Sequence, residues 1–143
     1  MRYLVATDGS SEADDAVRYA TAQAVGLGAT LEIVHVLTPE TELVDGELVL
    51  PGGNRAIELG ERTLSEARHL AADVVGEREA DLAVETQLLT GRPATAIVER
   101  AEEAEADAVF VGHRGLSEER RQVVGSVAKS VLDKASVPVT VIR

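Results

Sequence analysis

The chain has 143 residues, 45% of them hydrophobic, which suits one domain whose core needs neither metal nor disulfide. It contains no cysteine, excluding disulfides, thiolate metal sites and a cysteine nucleophile. With 25 acidic residues against 14 basic ones the net charge is −11, which opposes binding to nucleic-acid phosphates, and 2% aromatic content leaves no platform for stacking single-stranded bases.

The opening MRYLVATDGS holds an apolar run far too short for a secretion signal or membrane span, so a cytoplasmic location without membrane contact is expected. Residues 3–7 read as a first strand. Ala13, Ala16, Val17, Ala20, Ala24 and Leu27 then recur at helical spacing, with Ser10 or Ser11 as cap. A second strand is expected over 31–37. The segment 38–54 keeps no steady period and reads as a flexible loop near a site or as a disordered spacer.

Leu64, Ala67, Leu70, Ala71, Val74 and Val75 mark a second helix, and 84–89 a third strand. Ala94, Ile97, Val98 and Ala101 follow Pro93, which favours a first helical turn. A fourth strand over 107–111, a helical stripe at Val123, Val124, Val127, Val131 and Leu132, and a fifth strand over 138–142 complete the chain. Continuous apolar runs such as AVFV predict strands buried on both faces. Their alternation with helices predicts an α/β domain: an open, Rossmann-like sheet of five parallel strands with helices on both faces.

Ligands of such sheets sit beyond the carboxyl ends of the strands, where successive connections leave in opposite directions. ATDGSS (6–11) follows the first strand and VGHRG (111–115) the fourth, so strand order 3-2-1-4-5 would make them neighbours. Gly112 and Gly115 permit positive φ and close approach of backbone N–H groups to an anion. Gly125-Ser126 can open the fourth helix, adding free N–H groups, the positive end of a dipole and a hydroxyl. Arg114, Arg120 and Arg121 lie between and can offset the acidic charge. Alternatively, Ser117 caps one longer helix with Gly125 in its interior, at a cost of about 1 kcal/mol.

Gly-x2-Gly-x9-Gly-Ser, carried by Gly112, Gly115, Gly125 and Ser126, resembles the nucleotide-binding signature of the universal stress protein family. YLVATDGSSEADDAVRYA, LEIVHVL, GRPATAIVERAEEAEADAVFVGHRG and VPVTVIR extend the likeness along the chain. It implies a five-stranded parallel sheet, usually dimeric, and membership of the ATP-binding branch. By that resemblance Ala6, Thr7 and Asp8 line the nucleotide, with Asp8 near the ribose or a phosphate-bound metal. Val36 meets adenine through its backbone, and Val111 packs near adenine or ribose. Gly112, His113, Arg114 and Gly115 wrap ribose and phosphates, and Gly125, Ser126, Val127 and Ala128 meet phosphates at a helix start. Some members have a hydroxyl residue where this chain has Ala128, which removes one phosphate contact.

The expected ligand is therefore ATP, with AMP or ADP as alternatives and Mg²⁺ as companion. Each polar residue also has an ordinary role: Asp8 can shape a turn, His35 can be a packed strand histidine, and His113 stays open between a solvated loop residue and a ligand contact. GRPATAIV lacks the second glycine and the lysine of a P-loop, and no base for a hydrolytic water can be named. A nucleotide-dependent dimeric regulatory module is the expectation. The alternatives are a slow Mg²⁺-dependent ATPase or adenylate-handling enzyme, and a nucleotide-free dimeric scaffold. The apolar last strand, at the sheet edge in the expected order, would join the homodimer.

Overall fold

The computed structural model describes residues 1–38, 42–113 and 125–143, with the side chains of 42–44 left aside. Its elements in chain order are β1 (Arg2–Ala6), α1 (Ser11–Leu27), β2 (Thr30–Leu37), β3 (Glu42–Val44), β4 (Glu47–Val49) and α2 (Asn54–Glu77). Then come β5 (Val84–Thr90), α3 (Pro93–Glu103), β6 (Ala108–Gly112), α4 (Ser126–Lys134) and β7 (Val139–Ile142).

Five strands form one sheet in the order β5-β2-β1-β6-β7, every pair parallel. Counting those five strands alone, this is 3-2-1-4-5, the order the crevice required. Burial explains the composition. The middle three residues of β1 and of β6 are buried, whereas edge strand β5 alternates between half-buried and exposed positions.

Two cores lie on opposite faces of the sheet. Tyr3, Val5, Leu31, Ile33 and Phe110 pack against α1 and α2, while Leu4, Val34, Val109 and Val111 pack against α3 and α4. The Phe110 ring centroid lies 5.2 Å from that of Tyr3 and 6.1 Å from that of Tyr19, both in tilted geometry.

Toward the amino ends of the strands, one charge is buried. Glu32, 1% exposed, accepts hydrogen bonds from Arg100 Nε at 2.7 Å, Arg100 Nη2 at 2.9 Å and Arg2 Nη1 at 2.9 Å. Arg2 also donates to Glu85 Oε2 at 2.7 Å, and this bond holds the Glu85 carboxyl below its ordinary range. The same hydrogen bonds, to Glu85 and to Glu32 respectively, raise the pKa values of Arg2 and Arg100.

Several expectations are corrected. Residues 42–49 are neither loop nor spacer: Glu42–Val44 pairs antiparallel with Glu47–Val49. Asp45 and Gly46 join them with φ of 50° and 79°, the positive pair that a two-residue hairpin turn requires. Helix α2 starts ten residues before Leu64, and its early turns carry a buried glycine, Gly60. A Cβ there would lie 2.8 Å from Leu88 Cδ1 and 3.0 Å from Leu37 Cδ2, so glycine lets the helix lie close to the sheet. Leu27 and Leu132, counted in apolar stripes, are 58% and 44% exposed. Val123 and Val124 lie outside the described residues.

Candidate functional site

A cavity of about 500 Å³ opens across the carboxyl ends of β1, β2 and β6. Its location follows from the topology: the chain leaves β1 toward β2, and β6 lies on the other side of β1. The four helices of the described residues begin on this side of the sheet, so their positive dipole ends converge there.

The first wall is the β1–α1 turn. Thr7 is buried, and its N–H donates to Val34 O at 2.9 Å. Its Oγ1 accepts from Gly9 N at 3.1 Å, and Asp8 Oδ1 accepts from Ser10 N at 3.0 Å. Gly9 takes φ of 80°, which turns the chain toward α1. Ser10, rather than Ser11, is the N-cap, its Oγ accepting from Ala13 N at 3.2 Å. Asp8 thus performs the ordinary turn role while also lining the cavity, as do Ala6 and Thr7.

The second wall is the start of α4. Gly125 is its N-cap in an extended conformation, φ −60° and ψ 155°, which removes the alternative of a longer helix passing through it. Among the described residues no side chain caps this end, which leaves its first N–H groups without a capping partner there. Gly125, Ser126, Val127 and Ala128 all line the cavity, Ser126 exposed and Ala128 2% exposed. Helix α3 also starts without a side-chain cap, and its Pro93 joins the same wall.

Val36, Val111 and Gly112 form the floor. Gly112 owes its identity to something other than phosphate access. Its φ is not positive, and a Cβ would meet Glu12 O at 2.6 Å and Ala13 N at 2.9 Å. The glycine admits the first turn of α1 onto the end of β6. His113 is 2% exposed, with its N–H donating to Ile142 O at 2.6 Å. The solvated-loop reading of His113 is therefore wrong, and it is not among the described residues that line the cavity. Arg114 and Gly115, like Arg120 and Arg121, lie outside the described residues.

Sequence reasoning placed 38–54 near a site, as the structure does, but missed the hairpin within it and the part of α2 that build a third wall. Val49, Leu50 and Pro51 from the hairpin and its exit, and Leu59, Gly60 and Thr63 from α2, close the side opposite α4. The Asp-Gly pair between two ELV triplets was the available signal for the hairpin. His35 and Arg62 also line this side, and Arg62 is the basic side chain among the described lining residues. Asp8 is the lone carboxylate among them, and the described residues contain no cluster of three or more metal-ligating side chains. A Mg²⁺ ion at this site would be held chiefly by ligand phosphate oxygens with Asp8 beside them, a common mode for that ion. Near the rim, burial raises the Asp14 carboxyl above its ordinary value, aided by Asp15, Glu66 and Asp8 and opposed by Arg18.

Among the described residues no helix is long and apolar enough to cross a membrane. The profile of the Universal stress protein family matches residues 1–143. A Thermus aquaticus universal stress protein (QAH/OAS sulfhydrylase 3′ region) is 34% identical over 140 residues, covering 98% of this chain and 96% of the relative. Among solved structures, a universal stress protein in complex with cAMP superposes with a TM-score of 0.75 at 28% identity, covering 100% of this chain and 96% of the other. The Archaeoglobus fulgidus universal stress protein in complex with dAMP does so with 0.76 at 27% identity, covering 100% and 98%. The chain belongs to the universal stress protein family.

Proposed function

We propose that this chain binds an adenine nucleotide, ATP in the first instance, as a member of the family's ATP-binding branch, and acts as a cytoplasmic, nucleotide-dependent regulatory module. The observation that carries this reading is the uncapped start of α4, facing the β1–α1 turn across one cavity at the switch point of the sheet. Open N–H groups and converging helix dipoles favour phosphate oxygens there even on an acidic protein. The cavity volume falls in the range of small-molecule sites. The cAMP and dAMP held by similar proteins support adenosine phosphates as the ligand class. In this reading phosphates meet Gly125 to Ala128, with Arg114 and Gly115 completing the cradle, and nucleotide occupancy biases the surrounding loops and α4.

The regulated unit we propose is a homodimer joined through β7. This strand is apolar and pairs with β6 on one side, and among the described residues no strand pairs with its other edge.

Calorimetry of the purified chain with ATP, ADP and AMP, with and without Mg²⁺, tests the reading, alongside release of bound nucleotide on denaturation. Saturable binding that Gly125→Asp abolishes is the expected result, because the new carboxylate caps α4 and repels the phosphate. No nucleotide released and none bound would refute it.

A further inference from the structure

We infer that His35 is the side chain that recognises the nucleoside end of the ligand, accepting at Nε2 a hydrogen bond from an amino or hydroxyl group. The inference rests on the nucleotide reading and extends it to a wall of the cavity that no signature glycine reaches.

The ring is fixed on two sides. His35 Nδ1 lies 2.7 Å from Thr7 O. A carbonyl oxygen can only accept, so Nδ1 carries the proton, and in the neutral ring the lone pair belongs to Nε2. On the other flank the Cδ2 edge faces α2, where a Cβ on Gly60 would stand 3.4 Å away. Rotating the ring by half a turn would replace the Nδ1 donor with a carbon against Thr7 O. The Nε2–Cε1 end is thus directed away from the β2 backbone, and Nε2 has no hydrogen-bond partner among the described residues.

The surroundings of that atom select the end of the ligand it meets. His35 shares its wall with Leu37, Leu59, Gly60 and the hairpin's Val49, apolar surface suited to a base or the carbon face of a sugar, alongside Thr63 and Arg62 on the same side. The open helix start that suits phosphates is across the cavity, at Gly125. A ligand spanning the two walls has its phosphates at α4 and its uncharged end at His35. An acceptor held in a fixed orientation discriminates well, because a ligand with an acceptor there leaves two lone pairs opposed.

The test uses AMP, IMP and dAMP with the wild-type chain by calorimetry. IMP replaces the purine amino donor with an acceptor, and dAMP removes one ribose hydroxyl, so the two arms separate the possible donors. Weakening of about tenfold or more for one of them is expected. His35→Asn retains a donor toward Thr7 but lacks the outer acceptor, so it should erase that difference, and His35→Gln, which carries an outer acceptor, should restore part of it. In the wild-type chain, the ¹⁵N resonance of His35 Nε2 should move on saturation with AMP. Equal binding of all three nucleotides, or an unmoved Nε2 resonance at saturation, overturns the assignment while leaving nucleotide binding intact. Failure of AMP, IMP and dAMP all to bind overturns the assignment, and failure of ATP as well overturns both.

Discussion

Gly112 ends β6 where the backbone of Glu12 passes: a Cβ on the glycine would stand 2.6 Å from the Glu12 carbonyl oxygen. Backbone cannot retract as a flexible side-chain tip can, so Gly112→Ala must push α1 off the sheet. We expect a loss of about 1–3 kcal/mol of stability, measured as a lower urea midpoint. Gly125→Asp should lower affinity without lowering that midpoint, since a carboxylate is a good N-cap. The two signature glycines thereby separate into one that packs helices and one that leaves a helix end open.

Glu32 gathers two arginines at the far end of the sheet from the cavity. Glu32→Ala would leave Arg2 and Arg100 without their buried acceptor, and a destabilisation of about 3–5 kcal/mol is expected from denaturant unfolding. Glu85→Gln breaks only an exposed contact of Arg2, and its effect on the unfolding midpoint should be small beside that of Glu32→Ala.

Asp14 carries a pH dependence of defined sign. Burial raises its pKa, so the folded chain holds this proton more tightly than the unfolded chain. Below the unfolded value both states are protonated and the burial costs nothing. As pH rises through the folded value, ionisation comes to oppose folding. Asp14→Asn should therefore raise the melting temperature at pH 7, with the gain vanishing near pH 3.

The register of β7 identifies a clean disruptor of the proposed dimer. Pro138 O and Ile142 O accept bonds from β6 and His113 backbone N–H groups, so in this strand the even residues face β6 and Val139 and Val141 face outward. Val141→Pro removes an outward donor and spares the β6 ladder. Sedimentation should show the wild-type chain as a dimer and the variant as a folded monomer. A wild-type monomer would refute edge pairing.

Much of this architecture is legible in the residues themselves. Runs such as AVFV announce strands covered on both faces, and Gly125-Ser126 marks a helix start that the structure realises. The hairpin escaped because each of its strands is three residues long, too short for periodicity to register, although Asp45-Gly46 states the turn. The first turns of α2 were hidden by the Gly52-Gly53 pair and by Gly60, whose absent side chain matters only once Leu37 and Leu88 are placed beneath it. Gly112 and His35 share that limitation. Their partners, Glu12 and Thr7, are distant in sequence, and nothing local announces the contact.

The tilted cluster of Tyr3, Tyr19 and Phe110 contains every aromatic residue of the chain, which has no tryptophan. Its optical signature is accordingly one-sided. Near-ultraviolet dichroism and tyrosine emission report the layer of α1 and α2, while the layer of α3 and α4 is spectroscopically silent in that window. Comparing those signals with far-ultraviolet dichroism during a melt would time the loosening of one layer against the whole. A tryptophan placed at exposed Leu132 of α4 would give the silent layer its own chromophore.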